Sequence, residues 1–189
     1  NRGRRGEQIF ELKDDYECFM AVALEAIELF ALRVSAYCLM PNHYHLLVQT
    51  PDANLDRCMR HINGVYTQRF NNAHGLDGTL FRGRYKSIVV SEGNYLMQLV
   101  RYIHLNPVRS GMAERVGQYE WSSHKGYLSN AKKWDWLHKQ FILKMLSKNP
   151  DQNVRQYRKF MKESEDESLL RTLSLKKLPS IPGSSDFVE

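Results

Sequence analysis

The chain contains, at residues 37–48, the sequence Tyr37-Cys38-Leu39-Met40-Pro41-Asn42-His43-Tyr44-His45-Leu46-Leu47-Val48. Just upstream, apolar and other residues alternate with a period of two, with Leu32, Val34, Ala36 and Cys38 on one side and Arg33, Ser35 and Tyr37 on the other. This period is typical of a half-buried strand. The Met40-Pro41-Asn42 segment is a turn signal, and residues 43–49 resume a strand-like pattern. The stretch therefore predicts a β-hairpin.

Two histidines in the second strand, His43 and His45, are separated by one residue. Side chains at i and i+2 of a strand project from the same face. Two imidazoles at this spacing can share one divalent metal ion. The alternative is a pair of histidines with ordinary hydrogen-bond partners, and so short a pattern does not exclude it.

The segments around the hairpin are predicted from periodicity and capping signals. Helices are expected over residues 14–32, from residues 52–54 to about Asn72, and from Ser91 to about Asn106, where Pro107 would end the helix. A further strand is expected over residues 85–90, which are rich in β-branched side chains. A short helix is expected near Trp121, followed by two helices over residues 134–146 and 150–162, and by a surface tail from Leu173.

Composition limits the class of protein. The chain has 189 residues with 27 Lys and Arg against 21 Asp and Glu, a net charge of +6. Residues 57–109 hold eight basic residues against Asp77 and Glu92, so 8 − 2 = +6 and this segment carries the whole net charge. Concentrated positive charge is typical of a protein that binds phosphate backbones, and a solvated basic surface is the alternative.

Other features of the chain bear on its compartment. No apolar run has the length of a membrane span, and the three cysteines form neither a disulfide framework nor a zinc motif. A reducing cytoplasm is therefore expected. The chain does not begin with Met, which suggests that it is a fragment.

A second motif lies at residues 101–107, Arg101-Tyr102-Ile103-His104-Leu105-Asn106-Pro107. On a helix, Gln98, Tyr102 and Asn106 would share one face, because residues four apart are neighbours there. A tyrosine beside a metal-bound phosphate can act as a nucleophile, and an amide oxygen can bind a hard cation. Packing of Tyr102 in the core is the alternative.

Taken together, residues 37–48, the segment Gly83-Arg84-Tyr85-Lys86-Ser87 and residues 101–109 resemble the REP-associated tyrosine transposases. These belong to the HUH superfamily of single-tyrosine, single-strand DNA transposases. The resemblance covers residues 1–130, and the helical region near residues 134–161 resembles that of longer members. It implies a catalytic domain over residues 1–130 and a helical extension and surface tail over residues 131–189.

The resemblance implies an α+β fold, an antiparallel sheet with helices on one face, related to ferredoxin-like and RNA-recognition folds. Asn1-Arg2-Gly3 resembles the end of the first strand of the family. His43, His45 and Asn106 would bind Mg²⁺ or Mn²⁺, and Tyr102 would be the nucleophile. The reaction would cleave and rejoin single-stranded hairpin DNA through a covalent 5′-phosphotyrosine. Members act as monomers or as homodimers, and the expected location is the nucleoid in the cytoplasm.

Basic residues near these motifs are candidates for DNA contact, namely Arg82, Arg84, Lys86, Arg101 and Arg109. The alternative for the first three is edge-strand charge that prevents aggregation. Two other functions stay open from the sequence. One is a catalytically silent protein that binds DNA hairpins, and the other is a metal hydrolase that uses the histidines without a covalent step.

Overall fold

The computed structural model describes residues 1–90 and 93–163. The helices and strands are α1 (Lys13–Phe30), β1 (Arg33–Met40), β2 (His43–Gln49), α2 (Leu55–His74), α3 (Asn94–Arg109), α4 (His124–Tyr127), α5 (Lys139–Leu146) and α6 (Asn153–Phe160). Short 3-10 turns occur at Arg4–Gly6, Val116–Gln118, Lys132–Trp134 and Pro150–Gln152. Within the described ranges, no helix combines the length and apolar character that crossing a bilayer requires.

The predicted hairpin is present, with β1 antiparallel to β2 and Met40 opposite His43. Its register shifts between Val34 and Ala36, so Ser35 is an extra residue in β1. The bulge changes which residues share a face, and Val34 lies with Tyr37 rather than with Ala36. Strand β1 is buried at every position after Arg33. The prediction of a half-buried strand is therefore wrong, because both faces of the hairpin are covered.

Helices pack against both faces of the hairpin. Helices α1 and α2 cover the face that carries Leu39 and Tyr44, where they form the first apolar core. Helix α3 covers the face that carries Cys38 and Met40, and α5 and α6 complete the second core there. The α+β class with an antiparallel sheet is confirmed. The helices, however, lie on two faces and not on one as predicted.

The first residues of the chain extend the hairpin into a wider ladder. Arg2 pairs with His43, and Gly3 pairs in turn with Phe81. The amide of Tyr44 donates to the carbonyl of Asn1 at 3.0 Å, and the amide of Gly3 donates to Asn42 at 2.8 Å. Residues 1–3 therefore lie beside β2 in a strand-like pairing, in keeping with their resemblance to the end of a strand.

Two predictions about the middle of the chain are wrong. Residues 85–90 form no strand, because no segment within residues 1–90 and 93–163 pairs with them, and Val89 is 55% exposed. Helix α3 continues through Pro107 to Arg109. A proline this close to the end removes one backbone hydrogen bond, while the amide of Ser110 still donates to Asn106 at 3.0 Å. The predicted cap at Ser91 lies outside the described residues.

The segment after residue 130 packs directly on the hairpin and on α3. Its two predicted helices are present but shorter than expected, as α5 and α6. Ile142, Tyr157 and Phe160 share the second core with Val100 of α3 and Cys38 of β1. Trp134 and Trp136 pack against both cores. The boundary at residue 130 stays a prediction, and residues on both sides of it share one core. The tail from Leu173 lies outside the described residues.

Candidate active site

His43 and His45 project from the hairpin face that α3 covers. Their cross-strand partners Met40 and Cys38 belong to the second core, and directly opposite residues of an antiparallel pair share a face. The two imidazole rings are nearly perpendicular, at 88°, with centroids 5.0 Å apart. The strand period thus brings the two rings together, as the sequence predicts.

Asn42 fixes the orientation of the first imidazole. Its Oδ1 lies 2.7 Å from Nδ1 of His43, so Nδ1 carries the proton and Nε2 is left as a lone-pair donor. The amide nitrogen of Asn42 donates to the carbonyl of Gly6 at 3.3 Å, which holds the amide in place. Sequence reasoning assigned Asn42 only to the turn. Its position directly before the histidine pair was the available signal for this role.

Both imidazoles are neutral at physiological pH. Burial, followed by the positive charge of Arg2, lowers the pKa of His43 to about 4. Burial, followed by the proximity of His43, lowers the pKa of His45 to about 3. A metal ion binds the neutral form of imidazole, so neither histidine has to lose a proton before the ion binds.

Helix α3 brings Tyr102 and Asn106 to the histidines. Its apolar stripe, which includes Val100 and Ile103, is buried in the second core, and Tyr102 and Asn106 lie one turn apart beside that stripe. The Tyr102 ring centroid is 5.7 Å from that of His45. The side-chain amide of Asn106 is 3.4 Å from Nε2 of His45. The structure therefore brings all four predicted site residues together, and all four belong to one chain.

These residues fit a divalent metal ion. Two atoms that bind one Mg²⁺ at about 2.1 Å lie about 3 Å apart when their bonds meet at right angles. The Asn106 atom that lies 3.4 Å from Nε2 of His45 is the amide nitrogen, and rotation of the amide by half a turn would place its oxygen, the atom that binds Mg²⁺, at about this spacing. In residues 1–90 and 93–163, no three His, Cys, Asp or Glu side chains form a metal cluster. An ion at this site would therefore need oxygen ligands from Asn106 and from substrate.

Comparison with known proteins agrees with this geometry. Residues 4–106 match the model of the family described as Transposase IS200 like. The chain belongs to the IS200-like transposase family. It is 23% identical over 137 residues to a protein of Haemophilus influenzae provisionally named a REP-associated tyrosine transposase. The match covers 66% of this chain and 78% of the relative.

A solved structure shares the fold. It is that of a REP-associated tyrosine transposase bound to a REP hairpin, with a TM-score of 0.57 and 19% identity. The match covers 67% of this chain and 74% of that one. The family match, the relative and the shared fold together confirm the resemblance to REP-associated tyrosine transposases that the sequence motifs indicate.

In this IS200-like transposase, Arg109 lies against the predicted nucleophile. Its guanidinium carbon is 4.6 Å from the centroid of the Tyr102 ring, and its Nη1 donates to the backbone carbonyl of Tyr102 at 2.9 Å. A cation over the face of this ring is at the point where negative charge would develop on phenol and phosphate. Arg109 therefore places a positive charge over the ring of the predicted nucleophile.

The prediction that Arg101 contacts DNA is wrong. Its side chain is buried, with 1% exposure, and its guanidinium donates to Gln98 and Glu163 at 3.0 Å each. It also donates to the carbonyl of Phe160. Of the three residues predicted to share one face of α3, Tyr102 and Asn106 lie beside the histidines. The side-chain oxygen of Gln98 instead accepts a hydrogen bond from Arg101. Arg101 was predicted to be a surface charge because the partners that bury it lie about 60 residues later in the chain, beyond the reach of local patterns.

The remaining basic residues divide between the two faces of the molecule. Arg57, Arg60 and Arg69 of α2 lie on the layer away from the histidines, over Phe30 or paired with Asp56 and Glu25. Arg82, Arg84 and Lys86 are exposed in the segment that follows Phe81. This segment is close to the site, because Gly3 bridges Phe81 and the adjacent Arg2 bridges His43. Sequence reasoning missed Arg2, which lies outside the counted segment.

Other ring-bearing residues are structural. Tyr66, Phe70 and Phe81 are buried in the first core. His104 is fully buried, where its imidazole contacts Ser123 at 2.6 Å and Tyr157 at 2.9 Å. Because it is buried among these partners, His104 is not a candidate base for Tyr102.

Proposed function

We propose that this protein is a single-strand DNA transposase that cleaves and rejoins hairpin-containing DNA through a covalent bond to Tyr102. The observation that carries the proposal is the position of His43, Tyr102 and Asn106 around His45 in a single chain. Membership of a transposase family supports it. The relative whose structure is solved with a REP hairpin gives the reason for proposing hairpin DNA as substrate.

His43, His45 and Asn106 would hold the metal, Mg²⁺ or Mn²⁺. When bound, the ion supplies Lewis-acid stabilisation of the charge that develops on the scissile phosphate. The chain itself holds the ligands in place. Asn42 orients His43, and burial keeps both imidazoles neutral, so little reorganisation accompanies binding.

Tyr102 performs the covalent step. Its phenolic oxygen attacks the phosphorus, the bond from phosphorus to the 3′ oxygen breaks, and the leaving oxygen takes a proton to become a 3′-OH. The phenol gives its proton to solvent, and the downstream strand stays bound through a 5′-phosphotyrosine. Because the phosphotyrosine retains the energy of the broken bond, a 3′-OH can reverse the step without ATP. Arg109 lies over the ring and would stabilise the negative charge that develops on the reacting groups.

Exposed Arg82, Arg84 and Lys86 would contact DNA phosphates beside the site. The protein would act at the nucleoid, in the cytoplasm. Because one chain supplies all four residues, a monomer is sufficient for the cleavage step.

The test uses a pool of DNA hairpins with randomised single-stranded flanks and Mn²⁺. We expect a denaturant-resistant protein–DNA adduct that retains a 3′ label, while a 5′ label is released on a shorter strand. Tyr102→Phe should abolish the adduct. Tyr95→Phe, two turns earlier on α3, is the matched control and should retain it.

Two results would contradict the proposal. Binding of hairpins by the wild type without any adduct would indicate the catalytically silent binder. Cleavage that leaves no adduct and survives in Tyr102→Phe would indicate a metal hydrolase in which water is the nucleophile.

A further inference from the structure

The ladder formed by the first residues of the chain places two arginines in one row with a site histidine. Arg2 is directly opposite His43, and this pairing puts both side chains on the face that carries the candidate active site. The register between Gly3 and Phe81 places Arg82 opposite Arg2, and the amide of Arg82 donates to the carbonyl of Arg2 at 3.0 Å. His43, Arg2 and Arg82 thus occupy one row across three adjacent segments.

This row has an unbalanced charge. Like charges directly opposite each other on neighbouring strands are destabilising. Both arginines are exposed, and across the described parts of the chain neither side chain forms an ion pair or hydrogen bond. Residues 1–6 include Arg4 and Arg5 but no acidic residue, and residues 79–86 also contain none. An anion is the partner that would offset the repulsion.

The position of the row identifies the anion. Adjacent strands are about 4.8 Å apart, so Arg82 lies about 10 Å from His43 along the row. A phosphate at the histidines therefore has Arg2 next to it, with Arg82 one strand further on. Arginine is suited to this role, because its planar donors match phosphate oxygens.

We propose that Arg2 and Arg82 form a phosphate-binding row that holds the DNA backbone next to the scissile phosphate, on the side of His43. This inference rests on the proposed function for its ligand. It adds Arg2, which no sequence motif includes, and gives Arg82 a defined place relative to the metal site. The row contacts backbone only, so it would set position on the strand and would not read base sequence.

The test is the salt dependence of DNA binding, measured in EDTA so that no cleavage occurs. The probe is a fluorescein-labelled DNA hairpin with single-stranded flanks. For single strands, each phosphate contact contributes about 0.7 to the slope of log Kobs against log salt concentration. We expect Arg2→Gln and Arg82→Gln each to reduce the slope by about 0.7 and the double variant to reduce it by about 1.4. Arg2→Lys, which keeps the charge, should retain most of the slope.

Arg33→Gln is the matched control. Arg33 is exposed at the other end of β1, on the same face of the hairpin, about 20 Å from the row. It should leave the slope unchanged. Thermal unfolding without DNA separates binding from folding, since Arg2→Gln removes a repulsion and should not lower Tm.

The proposed phosphate-binding row would be contradicted if Arg2→Gln left the salt slope unchanged, or if Arg2→Gln and Arg33→Gln reduced the slope equally. A lower Tm in Arg2→Gln with an unchanged slope would overturn it as well, in favour of a structural role. Because the measurement requires no cleavage, it is independent of the adduct assay. Failure of the adduct assay with a reduced slope would remove the proposed catalysis and leave the phosphate row standing.

Discussion

The guanidinium carbon of Arg101 lies 3.8 Å from the centroid of the Phe160 ring, and this contact joins the helix that carries Tyr102 to α6. Arg101 also donates to the carbonyl of Phe160 and to Glu163. A buried cation needs such partners, since an unpaired one costs several kcal/mol. The C-terminal extension therefore fixes α3 one residue before the proposed nucleophile.

Replacement of either partner should destabilise the fold. Arg101→Lys keeps the charge but cannot stack and donate to several acceptors at once, so we expect a loss of about 1–3 kcal/mol in the free energy of unfolding. Phe160→Leu should cost a similar amount through lost burial and cation–π contact. The two effects should fall short of additive by about 1 kcal/mol in urea denaturation. Arg158→Lys, exposed on α6, is the control, and strict additivity of Arg101→Lys and Phe160→Leu would contradict the contact.

Stability should depend on pH because buried histidines are neutral in the folded state. Burial lowers the pKa of His124 to about 4, and complete burial lowers that of His104 well below its usual value. The unfolded chain protonates these groups near pH 6.5, whereas the folded chain does not. Stability should therefore be full above pH 6.5, and it should fall as pH decreases towards the folded pKa values, as thermal unfolding between pH 7 and about 4 would show.

His104→Asn isolates one of these groups. The variant should be less stable at pH 7, because contacts to Ser123 and Tyr157 are lost. The free energy of unfolding should, however, change less steeply with pH, because the variant takes up one proton fewer on unfolding. The difference in slope should be at most about 1.4 kcal/mol per pH unit. An identical slope in wild type and variant would show that His104 is not held neutral.

The sequence predicted the features that depend on local periodicity. The hairpin, the shared face of His43 and His45, and the helical spacing of Tyr102 and Asn106 all follow from repeats within a few residues. These repeats are sufficient to assemble the candidate site once α3 packs on the hairpin. The assignment of these residues to one site rested in addition on the resemblance of the two motifs to REP-associated tyrosine transposases.

Features set by distant contacts could not be predicted in this way. The bulge at Ser35 changes the face of Val34, and Arg101 is buried by residues of α6. The β-branched segment before residue 91 has the composition of a strand, but in the described part of the chain no segment pairs with it. Arg2 lies opposite His43 only because residues 1–3 pair with β2.

Asn42 should control the affinity of the metal site. Its contact to Nδ1 of His43 is the kind of outer-shell bond whose loss typically lowers metal affinity by 10–100-fold, or about 1.4–2.7 kcal/mol. We therefore expect Asn42→Ala to weaken Mn²⁺ binding by this factor in a titration followed by electron paramagnetic resonance. Asn72→Ala, at an exposed position of α2, should bind Mn²⁺ as the wild type does.

Two further comparisons sharpen this experiment. His45→Ala removes a proposed ligand and should lose more affinity than Asn42→Ala. If Asn42→Ala binds Mn²⁺ with wild-type affinity while His45→Ala does not, the histidines bind metal without help from Asn42. If both variants bind normally, the metal site lies elsewhere.

Gly3 allows the N-terminal ladder to approach the following turn closely. A Cβ atom added at Gly3 would lie 2.2 Å from the backbone carbonyl oxygen of Glu7, so the backbone itself would have to move. Gly3→Ala should therefore displace residues 1–3 from β2. The amide of Tyr44, which donates to Asn1, should lose protection in hydrogen exchange, and DNA affinity should fall because Arg2 leaves its position.

Gly64→Ala is the matched control for this prediction. Gly64 lies inside α2, and a Cβ there meets nothing within 4 Å, so alanine should raise stability by about 0.5–1 kcal/mol through its helix propensity. It should leave both Tyr44 protection and DNA affinity unchanged. Retained protection of Tyr44 in Gly3→Ala would show that the ladder tolerates the added methyl group. A fall in DNA affinity with protection retained would show that Gly3 acts on DNA by a route other than the pairing of residues 1–3 with β2.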